Sequence, residues 1–264
     1  MLGEQKRATR TQDSRNFGKG LLWVLGALVF AGAAAFALPI AVRHVPWPAE
    51  RWLGDEIAMI PPGAECAAHP PARAALDALV ARIYPLSTDD VAPVSVRVIR
   101  GATVNAFATL GGRIYVFQGL LEQARTPEEL AGVLAHEIEH VRNRHILQGF
   151  LVGLFTFQAL RVAVPEGGGS GDQVVRELLG LQFSRDQEGE ADEKGLERLR
   201  AAQVDPGGFA DFFERAAKQQ SPPAILNSHP SSESRIALAG RFRGYATHPV
   251  LDALQWSALT GACR

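Results

Sequence analysis

The chain has 264 residues, 47% of them hydrophobic, and carries 27 basic against 28 acidic side chains. That length holds one globular domain with a substantial core plus a tail, and the near-neutral balance leaves no basic stripe for a nucleic-acid partner. With only Cys66 and Cys263, the chain is neither a disulfide-rich scaffold nor a thiolate zinc site.

Residues 21–42 contain no charged side chain. At a rise of about 1.5 Å per residue, about 22 helical residues cross the roughly 30 Å hydrocarbon layer. Lys6, Arg7, Arg10, Arg15 and Lys19 precede this segment against Glu4 and Asp13, whereas a mixed set (Arg43, Glu50, Arg51, Asp55, Glu56) stands after it. The positive-inside bias therefore keeps residues 1–20 in the cytoplasm and exports the chain from about residue 43 onward. The expectation is one N-terminal transmembrane helix at the inner membrane, with the domain beyond it on the periplasmic side. A cleaved signal peptide with Ala35-Phe36-Ala37 as its cleavage region is the competing reading, and both export the domain. In an exported domain disulfides persist, so Cys66 and Cys263 are candidates for a bridge, although spacing alone does not show that the sulfurs meet.

Residues 43–72, with Pro46, Pro48, Pro61, Pro62, Pro70 and Pro71, read as a spacer before a domain over 73–264. Leu76, Leu79, Val80 and Ile83 share a helical face within 71–83. Residues 94–99 alternate as a strand, and residues 105–110, Gly111-Gly112 and 113–117 read as a hairpin. The 113–117 strand is offered as an edge to which an extended peptide adds. Thr126-Pro127-Glu128-Glu129 is a helix start, with a Thr cap, Pro in the first turn and Glu129 completing a capping box. That helix is expected to run from 127 to about 144 or beyond. Residues 146–164 are apolar but for Gln148, Thr156, Gln158 and Arg161, which favours a core helix or cleft wall over a membrane crossing. A glycine-rich loop at 167–171, a second long helix over 172–202 and a shorter one over 209–219 come next. Strands come first and helices after, so the fold class is α+β, mainly helical with a small sheet.

The chemistry lies in His136-Glu137-Ile138-Glu139-His140, an H-E-x-x-H pattern. Four residues apart on a helix, the two histidines stand about 40° apart in projection, one turn above the other. Both imidazoles then reach one metal ion, and Glu137 lies where a carboxylate takes a proton from metal-activated water. A third ligand must come from another element. Glu188 and Asp192 share a face of the second long helix, so one can bind the metal while the other orients a ligand imidazole. Glu190, about 200° from Glu188, should point outward. By the same arithmetic His145, nine residues after His136, faces away from the metal. His44, His69 and His248 read as loop residues.

These residues carry a resemblance. HEIEH some fifty residues before SRDQEGEAD resembles the HtpX-like zinc endopeptidases, a family that includes the CAAX prenyl proteases and the periplasmic protease BepA. The likeness extends to Asn105-Ala106-Phe107, Gly111-Gly112-Arg113-Ile114-Tyr115 and Thr126-Pro127-Glu128-Glu129-Leu130. It implies a zincin-like domain with one Zn2+ held by His136, His140 and Glu188, Glu137 as general base and Asp192 behind the ligands. It also implies protein substrates, misfolded or misassembled, cleaved at internal peptide bonds; the rival reading is an assembly or chaperone-like factor with little proteolysis. Asn227 to Arg235 is similar to a segment that lies over the metal, which makes His229 a candidate lid and fourth ligand; otherwise it is a loop histidine before a helix starting near Ser231 or Ser232. Arg185 and His229 are the candidates for oxyanion stabilisation. Two departures stand out. Glu139 occupies a position where the family has a small residue, and either faces the substrate or points to solvent. A single membrane segment replaces several, which argues against prenylated substrates and for the single-anchor or periplasmic branch.

Overall fold

The computed structural model describes residues 26, 37–57, 64–66, 70–85, 92–163, 183–229 and 233–263. Most of the expected membrane segment 21–42 lies outside these, as do the glycine-rich stretch, residues 172–182 of the second long helix, and His69. Among the described residues no helix is long and apolar enough to cross a membrane. Residues 1–45 and 46–264 form two compact units. In the first, Val42–His44 make a short 3-10 turn; the second carries the sheet and the cluster of chemistry-bearing residues.

The stretch expected as a spacer contains a helix, α1 (Trp47–Glu56), with Pro48 in its first turn, where the missing N–H has no intrahelical partner to lose. Helix α2 (Pro70–Ile83) follows, then strands β1 (Ser95–Ile99), β2 (Ala106–Thr109) and β3 (Arg113–Phe117). The sheet order is β1-β3-β2, with β3 parallel to β1 and antiparallel to β2. The strand expected at the edge is therefore the central one, because β1 takes the side of β3 that the hairpin leaves open; β2 is the edge beside the helices. At the hairpin turn Gly111 and Gly112 have φ of 80° and 78°. A Cβ on Gly112 would stand 1.7 Å from the Pro93 carbonyl oxygen, so only glycine closes this turn.

The helical part comprises α3 (Gln118–Gln123), α4 (Pro127–Arg142), α5 (His145–Ala163), α6 (Arg185–Ala201), α7 (Gly207–Ala217), α8 (Ile225–Ser228), α9 (Glu233–Arg241) and α10 (Ala253–Thr260). Helix α4 is the centre of the domain: every residue from 129 to 141 is buried, and α6, α7 and β2 pack around it. Gly132 permits a close approach to α7, since a Cβ there would meet Phe209 at 2.8 Å. A helix buried all round must neutralise its charges. Glu129 is clasped by Arg215 at 2.6 and 2.7 Å. Glu139, fully buried, takes Arg198 Nε at 2.8 Å and Arg142 Nη1 at 3.2 Å. It therefore faces neither substrate nor solvent, but Arg198 and Arg142.

Three boundaries differ from the sequence reading. Thr126 caps α4 through the Glu129 N–H at 3.3 Å, but the Glu129 carboxylate accepts from Arg125 N at 2.9 Å rather than from Thr126, so the capping box is half made. Helix α4 ends at Arg142; Arg144 adopts φ 60° and the chain restarts in a new direction at His145. Helix α6 begins at Arg185, because Ser184 and Gln187 form a reciprocal capping box and Phe183 and Ser184 are not helical. Cys66 and Cys263 form a disulfide with Cα atoms 4.9 Å apart, joining the strand-side backbone at Val98 to the end of α10, which packs on α2.

Candidate metal centre

Helix α4 presents His136 and His140 toward α6 and the loop after α8. Their Nε2 atoms are 3.0 Å apart. From α6, Glu188 brings Oε1 to 3.3 Å from His140 Nε2 and Oε2 to 3.6 Å from His136 Nε2. His229, the residue closing α8, places Nδ1 3.0 Å from His136 Nε2 and 2.9 Å from Glu188 Oε1. One atom from each of these four buried side chains falls within 4.8 Å of all the others.

This donor set fits a metal ion. Three imidazole nitrogens and a carboxylate oxygen converge on one point, whereas protons alone cannot satisfy three mutually facing ring nitrogens. The other nitrogen of each ring faces away from that point. His136 Nδ1 stands 2.8 Å from Asp192 Oδ1. His140 Nδ1 lies 3.0 Å from His145 Nδ1, and His229 Nε2 lies 3.2 Å from Glu137 Oε1. Nitrogen and oxygen ligands in this number suit Zn2+. Burial keeps the His140 ring neutral by pushing its pKa well below the usual value, despite Glu188. Burial works against ionised Glu188 too, but hydrogen bonds from His140 and His229 outweigh it and hold that carboxyl far below the carboxylate range.

Glu137 sits beside the cluster, 1% exposed, with no hydrogen-bond partner on either carboxylate oxygen. Burial pushes its pKa up, against the pull of His229 and His136. An unpartnered buried carboxylate next to a cluster of ligand donors is poised to accept a proton.

The structure thus brings His136, Glu137, His140, Glu188, Asp192 and His229 into one site. Arg185 is exposed on the first turn of α6, and His44 and His248 are exposed as well. Four residues of the site escape the sequence reading. Arg235, on α9, is almost fully buried and donates from Nε to Asp192 Oδ2 and from Nη2 to Glu188 Oε2, both at 2.8 Å. Phe183 stacks on His140 with ring centroids 3.8 Å apart. His145, expected to face away, turns back onto His140 because α4 breaks before it. Glu190, expected to point outward, takes His145 Nε2 at 3.3 Å. Among these, only the short spacing of Arg235 from His229 is a readable signal; the direction of His145 depends on the break between α4 and α5.

Comparison with known proteins adds an independent line. The family model "Peptidase family M48" matches residues 73–241, which spans α2 to α9 and every residue of the cluster. The chain belongs to peptidase family M48. This M48 chain is 35% identical over 153 residues to the metalloprotease LoiP of Escherichia coli strain K12, covering 54% of this chain and 60% of LoiP. It is 31% identical over 158 residues to the beta-barrel assembly-enhancing protease of the same strain, 53% of this chain and 32% of that protein. The mitochondrial metalloendopeptidase OMA1 of Schizosaccharomyces pombe is 36% identical over 146 residues, 53% of this chain and 43% of OMA1. The matches thus cover about a third to three-fifths of the length of these relatives.

Proposed function

We propose that this M48 chain is a zinc-dependent endopeptidase that hydrolyses internal peptide bonds of proteins. In this reading His136, His140 and Glu188 hold one Zn2+, Glu137 is the general base, Asp192 orients His136, and His229 occupies the fourth position in a closed state. The observation that carries it is the meeting of the H-E-x-x-H helix with Glu188 in one buried cluster beside an unpartnered Glu137.

A bound Zn2+ supplies Lewis acidity and makes water a nucleophile near neutral pH. The chain's own groups do the rest. Glu137 accepts the proton of the attacking water and returns it to the leaving amine. Asp192 and Arg235 fix the ligand side chains from behind, Arg235 by tying Glu188 and Asp192 together. The outer edge of β2 runs beside α4, and an extended peptide pairing there would lie along the cluster.

Residues 21–42 as a membrane anchor and an extracytoplasmic domain over 73–264 complete the proposal. The charge asymmetry around that segment supports it, as does the Cys66–Cys263 disulfide, which suits an oxidising compartment. The relative named for beta-barrel assembly makes misassembled envelope proteins the substrate class of choice. The burial of His229, 1% exposed, favours one alternative, a zinc-bound assembly or chaperone-like factor with little proteolysis.

The test is casein digestion by the zinc-loaded protein and by Glu137→Gln. Expected is a loss of at least about a hundredfold, in the range for removing a general base, with metal content unchanged. If both proteins were equally inert and both held zinc, the factor reading would replace the protease.

A further inference from the structure

One buried imidazole of the site takes no part in the proposed hydrolysis. His145 is 2% exposed, opens α5 instead of continuing α4, and stands outside the cluster of ligand donors. We propose that His145, backed by Glu190, is the positioning residue of the ligand His140, fixing that ring's direction and tautomer as Asp192 does for His136. The proposal rests on the reading of His136, His140 and Glu188 as a metal site.

The geometry admits one consistent arrangement of protons. His140 turns Nε2 into the cluster, so as a ligand it carries its proton on Nδ1. That N–H faces His145 Nδ1 at 3.0 Å, which must then accept. With Nδ1 accepting, His145 carries its own proton on Nε2, and Nε2 faces Glu190 Oε2 at 3.3 Å. Every step has one donor and one acceptor, and a carboxylate ends the chain. An imidazolium at His145 would set two N–H groups against each other, so the facing nitrogens require the neutral ring there.

The surroundings hold this chain in place. Glu190 Oε1 takes Lys194 Nζ at 2.5 Å, and Lys194 also donates to Asn143 Oδ1 at 2.8 Å. The backbone of His145 is set by the left-handed Arg144 before it, whose guanidinium pairs with Glu50 and lies 3.2 Å from the centre of the Trp47 ring. On its other face the His140 ring is stacked by Phe183. The two histidine ligands are thus oriented by different means, His136 directly by a carboxylate of α6 and His140 through an intervening imidazole to another carboxylate of the same helix. A histidine that only filled space would need neither the facing nitrogens nor the acid behind them.

Zinc affinity by chelator competition and the visible spectrum of the cobalt-substituted protein test this on four proteins: the parent, His145→Gln, His145→Leu and Glu190→Ala. A glutamine amide supplies an accepting oxygen and a donating nitrogen, so His145→Gln should stay within about threefold of the parent in zinc affinity, whereas His145→Leu should weaken it by roughly 10–100-fold. The leucine variant should also shift the cobalt bands, which a purely structural role would leave in place. Glu190→Ala, at a partly exposed position, should weaken zinc in the same direction by a smaller factor, and it decides the matter if His145→Leu does not fold. Parent-like affinity and spectrum in the folded leucine and alanine variants would overturn this proposal alone. A parent that binds no zinc would overturn the metal site and this proposal together.

Discussion

His229 reaches the donor cluster through Nδ1 and the Glu137 carboxylate through Nε2, so one side chain covers both the metal position and the base. Its carboxylate neighbours, Glu137 and Glu188, draw its pKa upward against burial. A hydrogen bond to a charged group contributes about 1.5–3 kcal/mol, and the one between His229 Nδ1 and Glu188 Oε1 at 2.9 Å weights the closed arrangement by roughly tenfold to a hundredfold. His229→Ala should therefore raise casein turnover by about that factor while zinc content stays at one per chain. Unaltered turnover would remove the lid role, and a fall would place the ring in the catalytic machinery. Asp192 and Arg235 illustrate the same residue-level economy. Removing either leaves a buried charge without its counterpart, a more damaging change than losing a surface pair.

At the scale of elements, α1 is the least expected part of the fold and the one that reaches furthest. Buried Glu50 accepts from Gly111 N at 3.2 Å and pairs with Arg144, so one carboxylate joins the hairpin turn to the break between α4 and α5. Breaking a buried pair by deleting one partner costs about 3–5 kcal/mol. Glu50→Ala should lower the urea midpoint of the metal-free protein accordingly and weaken zinc binding, because the turn that aims His145 loses its anchor; an unchanged midpoint would show that α1 contributes nothing.

That anchor also explains which features are legible in the sequence and which are not. The start of α4 is legible because its signals are local: a Thr cap and a Pro within the first turn. Its end is not, since helical residues continue through 145 to 163, and the interruption depends on Glu50, far away in the chain. The same interruption redirects His145, because counting residues around a helix presumes that the helix runs on. Glu188 and Asp192 are legible because one face of one helix carries both. Which of them would bind the metal is supplied by the family resemblance alone. Order within the sheet is invisible for a related reason, since a hairpin names its two neighbours and says nothing of the third strand.

For the whole molecule the main question is how a domain with its centre on one buried helix is held at its ends. The Cys66–Cys263 bridge spans 197 positions, and cross-links over long loops stabilise by limiting the unfolded chain, typically by about 2–4 kcal/mol. Replacing both cysteines by alanine should lower the thermal midpoint of the zinc-loaded protein by several degrees, about what that free energy implies for a domain of this size, with casein turnover per folded molecule unchanged. A midpoint equal to the parent's would mean that the packing of α10 on α2 suffices alone. The bridge has a second effect, on how damage to the chain shows itself. From residue 66 to residue 263 the polypeptide is a covalent ring, and all the residues of the candidate metal centre lie on it. A single cut anywhere in that ring, including one made by a neighbouring copy of the enzyme, releases no fragment. Clipped and intact molecules would run as one species until the bridge is reduced, so self-cleavage in this protein must be sought on reducing gels.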